Sequence, residues 1–153
     1  MIFHLSIDAR EPRRVAGVIA ELFGSNIVVP FPPVGGGASF MALAGDARNS
    51  GVEVYPRGTA LKLVEGEDQG VGVEGEGGLT ATHFAMATPF EEERVHAIAA
   101  REGWTSRRCN RGGQFDVIEL WLEQDRMVEV LTPEMQSQYL RGASVEDALK
   151  PAF

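Results

Sequence analysis

The sequence is short of cysteine, of positive charge and of long apolar runs, and each shortage excludes a class of protein. A single cysteine among 153 residues, Cys109, rules out an internal disulfide and is typical of a reducing compartment. Asp and Glu outnumber Lys and Arg by 22 to 14, and the net charge of −8 suits neither nucleic acid nor an anionic membrane surface. No apolar run approaches the roughly 20 residues of a membrane-spanning helix, and the start MIFHLSIDAR lacks the pattern of a signal peptide. We therefore expect a cytoplasmic protein whose partner is a small molecule.

The composition that remains is that of an ordinary globular protein. Apolar residues make up 44% of the chain and charged residues 24%, which are usual shares for a soluble domain. A chain of 153 residues is long enough for one well-buried domain, or for two small modules that share a core. The order of the patterns along the chain favours the two modules.

The first half of the sequence predicts a strand, a helix and three more strands. Residues 2–9, IFHLSIDA, alternate apolar and polar side chains as a strand does. A helix follows, with Pro12 in its first turn, an apolar stripe from Val15 to Phe23 and Gly24 at its end. The segments NIVVPF, SFMALAG and GVEVYP are short strand candidates. For PFPPVGGGA, residues 30–38, we expect a loop, with a mobile flap as the alternative.

The second half repeats this order. Residues 80–87, TATHFAMA, predict a strand that carries His83. The next helix is expected to begin with Thr88 as N-cap, Pro89 at the first helical position and Glu91 completing a capping box, and to end at Gly103. Three further strands are predicted from WTSRRC, FDVIELWLE and RMVEVLTP.

Both halves are thus copies of one βαβββ unit. His83 lies 79 residues after His4, and Glu129 lies 76 residues after Glu53. A unit this short does not bury its helix and sheet alone, so the copies should pack together. We predict an α+β fold with a first module at 1–56, a second at 80–132 and a helical tail at 133–153, which Thr132 would cap. Residues 57–79, rich in Gly and acidic side chains, are expected to form a flexible linker, with a hairpin as the alternative.

Four polar residues recur at matching places in the two copies: His4, Glu53, His83 and Glu129. Each glutamate stands between two valines of a predicted strand, where an unpaired buried carboxylate would cost several kcal/mol, roughly. If the copies face each other, two imidazoles and two carboxylates meet around one point. That donor set suits a divalent cation such as Zn, Ni, Co, Mn or Fe(II). The alternative is that the histidines are hydrogen-bonded and the glutamates solvated.

With these four residues on a repeated βαβββ unit, the chain resembles the vicinal oxygen chelate superfamily, which includes glyoxalase I, epimerases, extradiol dioxygenases and bleomycin-binding proteins. The resemblance spans about residues 2–133, and the His/Glu/His/Glu set is most similar to bacterial glyoxalase I. It implies curved mixed sheets that enclose a cup, with the metal inside. Paired units in this superfamily close within one chain or between two chains, so a homodimer is one expected form.

The resemblance implies a metal-dependent lyase or isomerase of glyoxalase or epimerase type. Its substrate would chelate the metal through two adjacent oxygens, and Glu53 or Glu129 would move a proton as the catalytic base. Two alternatives stay open. One is an Fe(II) extradiol-type dioxygenase. The other is a binding or resistance module that holds a small molecule without metal.

Other residues carry weaker signals. Tyr55 shares strand parity with Glu53, and Trp121 shares it with Glu119, so Tyr55 and Trp121 are candidate substrate contacts. For Glu119 we expect an outward side chain, with a supporting group of the site as the alternative. Three arginines near a predicted turn would receive an anionic substrate or stay solvated, and we favour solvation: Arg107, Arg108 and Arg111. His96 is expected at a surface or boundary position.

Overall fold

The computed structural model describes residues 4–34, 37–47, 50–62, 71–75, 83–111 and 113–142. The chain divides into two compact units, which we name unit 1, Met1–Ala81, and unit 2, Thr82–Phe153. Each unit is an α+β module. Among the described residues, no helix is both long enough and apolar enough to cross a membrane.

Unit 1 contains the first predicted βαβββ order. Its elements are β1 (His4–Ala9), α1 (Pro12–Phe23), β2 (Ile27–Val34), β3 (Gly37–Leu43) and β4 (Gly51–Pro56). The sheet order is β1-β4-β3-β2. β1 runs parallel to β4, and the other neighbours are antiparallel. The first and last strands are therefore hydrogen-bonded neighbours, as a site built from both of them requires.

Helix α1 forms where the apolar stripe predicted it and covers one face of this sheet. Val15, Val18, Ile19 and Leu22 are buried, and each such side chain contributes about 1.5–3 kcal/mol when fully removed from water. The helix ends at Gly24, whose φ of 79° is the left-handed conformation that glycine adopts without strain. The helix packs on β3 and β4.

The expected loop at residues 30–38 is wrong for its described part. Residues 30–34 extend β2, and Gly37 and Ala38 begin β3. Proline is tolerated here because β2 is an edge strand, where a missing N–H breaks no ladder, and the register shifts between Phe31 and Val34. Residues 35 and 36 lie outside the described residues.

The flexible linker expected at residues 57–79 is also corrected. Its described parts contain β5 (Thr59–Lys62) and β6 (Val71–Glu74), which pair antiparallel in a two-stranded sheet. Gly58, with a φ of 84°, lies two residues after the end of β4 and directly before β5, and it lets the chain turn between these strands. The hairpin that the sequence left as an alternative is present, whereas residues 63–70 and 76–79 lie outside the described residues.

Unit 2 contains the second βαβββ order. Its elements are β7 (Phe84–Ala87), α2 (Glu92–Glu102), β8 (Thr105–Arg111), β9 (Phe115–Leu122), β10 (Arg126–Leu131) and α3 (Pro133–Gly142). The sheet order β7-β10-β9-β8 matches that of unit 1, and β7 again runs parallel to the last strand, β10. The predicted α+β fold with two βαβββ repeats is confirmed.

Of the helix ends predicted in unit 2, the start of α2 is wrong, and the end of α2 and the start of α3 are confirmed. α2 begins at Glu92 with Glu91 as N-cap, so the predicted start at Thr88 is wrong, and no side chain caps this end. The Thr88 hydroxyl instead accepts a hydrogen bond from the Phe90 N–H at 3.4 Å, which holds a turn ahead of the helix. Gly103 ends α2 as predicted. α3 begins at Pro133 as predicted, and the tail segment 143–153 lies outside the described residues.

Each four-stranded sheet has one face covered by the first helix of its unit, α1 or α2, and an opposite face, which we call the far face. In unit 1 Arg13 of α1 lies over the Phe40 ring at 6.0 Å, so the face of Phe40 is the covered one. Because Met41 alternates with Phe40 and pairs with Glu53, the glutamate lies on the far face. In unit 2 His96 of α2 contacts Ser106, so the alternate residue Arg107 and its partner Glu119 lie on the far face.

Candidate metal centre

Unit 1 brings His4 and Glu53 together on its far face. In the parallel pairing of β1 and β4, Glu53 is opposite Ser6, and His4 is two residues before Ser6 on the same face. The His4 Nε2 atom lies 3.7 Å from the Glu53 Oε1 atom. The imidazole is largely exposed, whereas Glu53 is only 6% exposed. The carboxylate is thus set deep in the site and the imidazole at its edge.

The second oxygen of Glu53 is held by two hydroxyl groups. Ser6 Oγ donates to Oε2 at 2.7 Å and Tyr55 Oη donates to the same atom at 2.6 Å. Burial, and then the hydrogen bond to Glu53, raises the pKa of Tyr55 to about 12. The phenol therefore remains a proton donor throughout the physiological range. These two bonds fix the carboxylate and leave Oε1 directed towards His4.

The chemistry of this pair fits a divalent cation. A buried carboxylate whose donors are neutral hydroxyls has its charge only partly compensated. A metal ion held by Glu53 and His4 would supply that compensation, with the oxygen and nitrogen ligands that Zn, Ni, Co, Mn and Fe(II) accept. Ser6 and Tyr55 would then be the outer partners that orient a ligating carboxylate.

Unit 2 places Glu129 and His83 at the corresponding positions. In the parallel pairing of β7 and β10, Glu129 is opposite Ala85. His83 comes directly before β7, two residues before Ala85, just as His4 is two residues before Ser6. The predicted repeat therefore holds at the level of strand register.

The immediate environment of Glu129 differs from that of Glu53. The Arg111 guanidinium binds Glu129 Oε1 through Nη2 at 2.5 Å and through Nε at 3.2 Å. The same Nη2 also lies 3.0 Å from Glu119 Oε1. Hydrogen bonds to Glu129 and then to Glu119 raise the pKa of Arg111 well above its ordinary value. A permanent cation of the protein therefore occupies Oε1 of a carboxylate that the sequence predicts as a metal ligand.

Glu119 is a buried member of the same network. Arg107 binds its Oε2 through Nε at 2.8 Å and Nη2 at 2.7 Å, and Trp121 Nε1 donates to that oxygen at 3.4 Å. Burial alone would raise the pKa of Glu119, but the hydrogen bonds from Arg107 and Arg111 outweigh it and hold this pKa below its ordinary value. At 6% exposure, Glu119 is a supporting group of the far face and not an outward side chain.

The arginines that we expected to be solvated are engaged in ion pairs. Arg107 and Arg111 bind carboxylates on the far face, while Arg108, one residue from Arg107, bridges Glu92 and Asp116 on the covered side. The hydrogen bond from Arg108 lowers the pKa of Asp116. Strand alternation in TSRRCNR separates these faces, and that signal was available in the sequence.

Two further residues of unit 2 were named from the sequence, Trp121 and His96. Trp121 lines a shallow pocket of about 220 Å³ with Thr105, Arg107 and Gln124. His96 is partly buried at the boundary between α2 and β8, where Nδ1 lies 2.7 Å from Ser106 Oγ and Nε2 lies 3.3 Å from Glu92 Oε1. The boundary position expected for His96 is confirmed.

The described residues contain no group of three or more His, Cys, Asp or Glu side chains spaced to hold a metal. The predicted centre takes two ligands from each unit: His4 and Glu53 from unit 1, and His83 and Glu129 from unit 2. The four-ligand centre itself stays a prediction.

Comparison with known proteins identifies relatives of this fold. No family model matches the sequence, and no curated protein matches it. Solved structures do match. The fosfomycin resistance protein FosX from Mesorhizobium loti is 15% identical with a TM-score of 0.51, over 90% of this chain and 96% of that one. Lactoylglutathione lyase from Agrobacterium tumefaciens is 10% identical with a TM-score of 0.52, over 88% of this chain and 94% of that one.

A third match contains a metal. A variant of FosX from Listeria monocytogenes, complexed with Mn(II) and 1S,2S-dihydroxypropylphosphonic acid, is 13% identical with a TM-score of 0.51, over 98% of this chain and 95% of that one. Sequence identities this low carry no information on substrate, so the matches bear on architecture. They confirm the resemblance at that level: this chain shares its fold with these solved structures.

Proposed function

We propose that this protein is a divalent-metal-dependent enzyme of glyoxalase type, a lyase or isomerase that acts on a small molecule with two adjacent oxygens. The observation that carries the proposal is the pairing of His4 Nε2 and Glu53 Oε1 at 3.7 Å on a buried carboxylate. A carboxylate fixed this firmly, with one oxygen facing an imidazole, is arranged as a metal ligand is.

The residues that would hold the metal are His4, Glu53, His83 and Glu129. The register of unit 2 repeats that of unit 1 at these positions, which supports their equivalence. When bound, the divalent cation would supply Lewis-acid stabilisation of charge on the oxygens of the substrate. The cytoplasm is the compartment that we propose, since a single cysteine suits a reducing environment.

Glu53 is the proposed base that moves a proton at the carbon beside those oxygens. Its protein partners are two hydroxyls and an imidazole, whereas Glu129 is bound by a guanidinium. Oε1 is the oxygen that would take the proton once Glu53 loosens from the metal, since Oε2 already accepts two hydrogen bonds. Tyr55, with its raised pKa, keeps its own proton and holds the carboxylate in place during the transfer.

The solved relatives support the class of reaction but not the substrate. One is named a lactoylglutathione lyase, and another was crystallised with Mn(II) and a compound that carries two neighbouring hydroxyls. Both are consistent with a substrate that presents two adjacent oxygens. We propose that Trp121 contacts the substrate in the pocket that it lines with Arg107.

The test is metal content followed by turnover. The protein is purified without chelator, and bound metal per chain is measured for the wild type, His4→Ala and Glu129→Gln, each after growth with Mn, Ni, Co, Zn or Fe. We expect about one metal per site in the wild type and a large loss in His4→Ala. Turnover is then assayed on hemithioacetals, 2-acyl thioesters and epoxides. Absence of metal in the wild type under every supplement contradicts the proposal, and stabilisation by aromatic ligands in EDTA would instead favour a metal-free binding module.

One observation favours a second candidate, an Fe(II) extradiol-type dioxygenase. If Arg111 keeps Glu129, the remaining set is His4, His83 and Glu53, the two-histidine, one-carboxylate set of non-haem iron oxygenases. Oxygen consumption is measured with catechols after anaerobic loading with Fe(II). Uptake that depends on both the catechol and His4 would support the dioxygenase, and no uptake returns the assignment to the lyase or isomerase.

A further inference from the structure

We propose that Arg111 is a resident competitor of the metal at Glu129, so that loading of the centre exchanges a guanidinium for a metal ion. This inference rests on the proposed function, because it concerns the same carboxylate. It assigns Arg111 a positioning role in metal affinity. Neither the strand pattern nor the fold likeness gives it such a role.

The geometry of the guanidinium carries the first step. Arg111 makes two hydrogen bonds to Glu129 Oε1 and one to Glu119 Oε1, at 2.5, 3.2 and 3.0 Å. Charge-assisted bonds of this kind are about twice as strong as neutral ones. Any metal that takes Glu129 Oε1 as ligand must displace the two bonds to that atom, because the cation and the guanidinium compete for the same lone pairs and repel each other.

Arg111 bridges Glu119 and Glu129, and only its bonds to Glu129 would be replaced by a metal. Glu119 is buried, is opposite Glu129 on β9, and has its other oxygen held by Arg107 at 2.7 Å. It is not among the predicted ligands. Arg111 therefore keeps its bond to Glu119 when Glu129 turns to a metal, and it remains beside the centre with freed N–H groups. Glu119 is the fixed anchor of the guanidinium, and Glu129 is the exchangeable partner.

A third step separates this role from ordinary surface pairing. Two carboxylates directly opposite each other on neighbouring antiparallel strands repel. Arg111 removes that repulsion in the absence of metal, because it bridges Glu119 and Glu129. A bound metal would do the same for Glu129. The charge of Glu129 would thus be compensated by either Arg111 or a metal, and the free energy of the Arg111 bonds given up would subtract from that of metal binding.

The test compares arginine substitutions that change the charge of the protein by the same amount. Arg111→Gln removes the competitor. Arg107→Gln removes an arginine from the same strand, face and carboxylate, Glu119, without touching Glu129. Arg108→Gln removes one from the opposite face. Dissociation constants for Mn²⁺ are measured by the loss of the free-ion EPR signal, and those for Co²⁺ by visible absorption, after circular dichroism confirms folding.

We expect Arg111→Gln to bind Mn²⁺ about tenfold more tightly than the wild type, because displaced bonds to a charged group no longer oppose binding. Arg107→Gln and Arg108→Gln should change the constant by less than about threefold. Arg111→Lys, which keeps the charge but cannot form the bridge with two bonds to one oxygen, should lie between. Arg111→Lys also replaces Arg111→Gln as the test variant if Arg111→Gln does not fold.

The outcomes separate this inference from the proposed function. Tighter metal binding confined to the Arg111 variants supports the competition, whether the wild type binds strongly or weakly. Metal binding in the wild type that is unchanged or weakened in both Arg111 variants overturns the competition and leaves the proposed metal centre standing. Equal tightening in all three arginine-to-glutamine variants also overturns it, because the effect is then one of net charge. No binding in any variant overturns the inference and the metal centre together.

Discussion

The two glutamates at equivalent positions of the two units differ in what holds them. Glu53 is fixed by the hydroxyls of Ser6 and Tyr55 and faces an imidazole. Glu129 is fixed by the guanidinium of Arg111. Strand register is the same in both, so the backbone sets where a carboxylate stands, and neighbouring side chains set what it can do.

The two residues that pair with the glutamate across the neighbouring strands differ between the units. Ser6 of unit 1 corresponds to Ala85 in unit 2, because each is the parallel partner of the glutamate. Across the antiparallel pair, Met41 is opposite Glu53, whereas Glu119 is opposite Glu129. In unit 2 the two opposite carboxylates repel each other unless a cation lies between them. In unit 1 the apolar Met41 side chain creates no such repulsion. The carboxylate of unit 1 is thus held by neutral hydroxyls, whereas that of unit 2 is already compensated by a guanidinium.

The largest expected effect comes from removing each carboxylate in turn. Glu53→Gln should weaken Mn²⁺ binding by more than about 100-fold, since loss of an outer partner alone costs 10–100-fold and Glu53 is a proposed ligand. Glu129→Gln should weaken it by about tenfold, because the wild type must first break the Arg111 bonds to gain that ligand. Equilibrium dialysis measures both, and an equal loss in the two variants contradicts the asymmetry.

The next effect concerns the anchor of the charged network. Glu119→Gln removes a buried carboxylate that binds two arginines, and we expect the free energy of unfolding to fall by about 2 kcal/mol at neutral pH. The folded pKa of Glu119 is lowered, so its contribution is present above the unfolded pKa and is lost as pH falls through the folded one.

Urea unfolding at several pH values measures this contribution. The difference between wild type and Glu119→Gln should shrink as the pH drops below about 4. Arg108→Gln is the matched control, because it breaks ion pairs of the covered face and leaves Glu119 intact. A difference that stays constant down to pH about 2 would remove the ionic account of the network.

A smaller effect on metal affinity is expected when Glu53 of unit 1 loses one of its hydrogen-bond donors. Tyr55→Phe removes one donor to Glu53, and we expect metal affinity to fall about tenfold. The chain has two tyrosines, so the absorbance change on ionisation is assignable. Because the folded pKa of Tyr55 is raised to about 12, its contribution to stability is present below the unfolded value and is lost as pH rises through that range. The Tyr55 phenol is identified as the signal that Tyr55→Phe loses, and its titration near pH 10 in the wild type would contradict the buried hydrogen bond to Glu53.

The smallest effects come from exchanging the parallel partners. Ser6→Ala should destabilise unit 1 by about 1 kcal/mol, because Glu53 loses a hydrogen bond. Ala85→Ser should stabilise unit 2 by less than about 0.5 kcal/mol, since Glu129 already has two bonds from Arg111. Both are measured by urea unfolding. Equal and opposite changes in the free energy of unfolding would contradict the difference, because both carboxylates would then gain the same stability from a hydroxyl donor.

The sequence predicted those features that depend on local pattern or on repetition. Apolar stripes located α1 and α2, glycines located their ends, and the repeat placed His4 and Glu53 on neighbouring strands. The start of α2 was missed because Thr88 caps a turn and the helix begins three residues after Pro89. Strand β2 was missed because the effect of a proline depends on whether its strand is at an edge.

The bridge formed by Arg111 was missed for a different reason. Strand alternation places Arg107, Cys109 and Arg111 on one face, but it does not give the distance between Arg111 and Glu129, which are 18 residues apart. Arg111 lies at the end of β8 and reaches across the sheet past its own cross-strand partner, Phe115. Such diagonal contacts depend on rotamers of long side chains, which a one-dimensional pattern does not contain.

The central claim is that one histidine from each unit binds the same metal, and it is tested most directly by counting the histidine nitrogens on bound Mn²⁺. Electron spin-echo envelope modulation is recorded on protein labelled with ¹⁵N-histidine at saturating metal, for the wild type, His4→Gln and His83→Gln. The account predicts two coordinated histidine nitrogens in the wild type and one in each variant. A spectrum without coordinated histidine, or one that neither substitution changes, would contradict it.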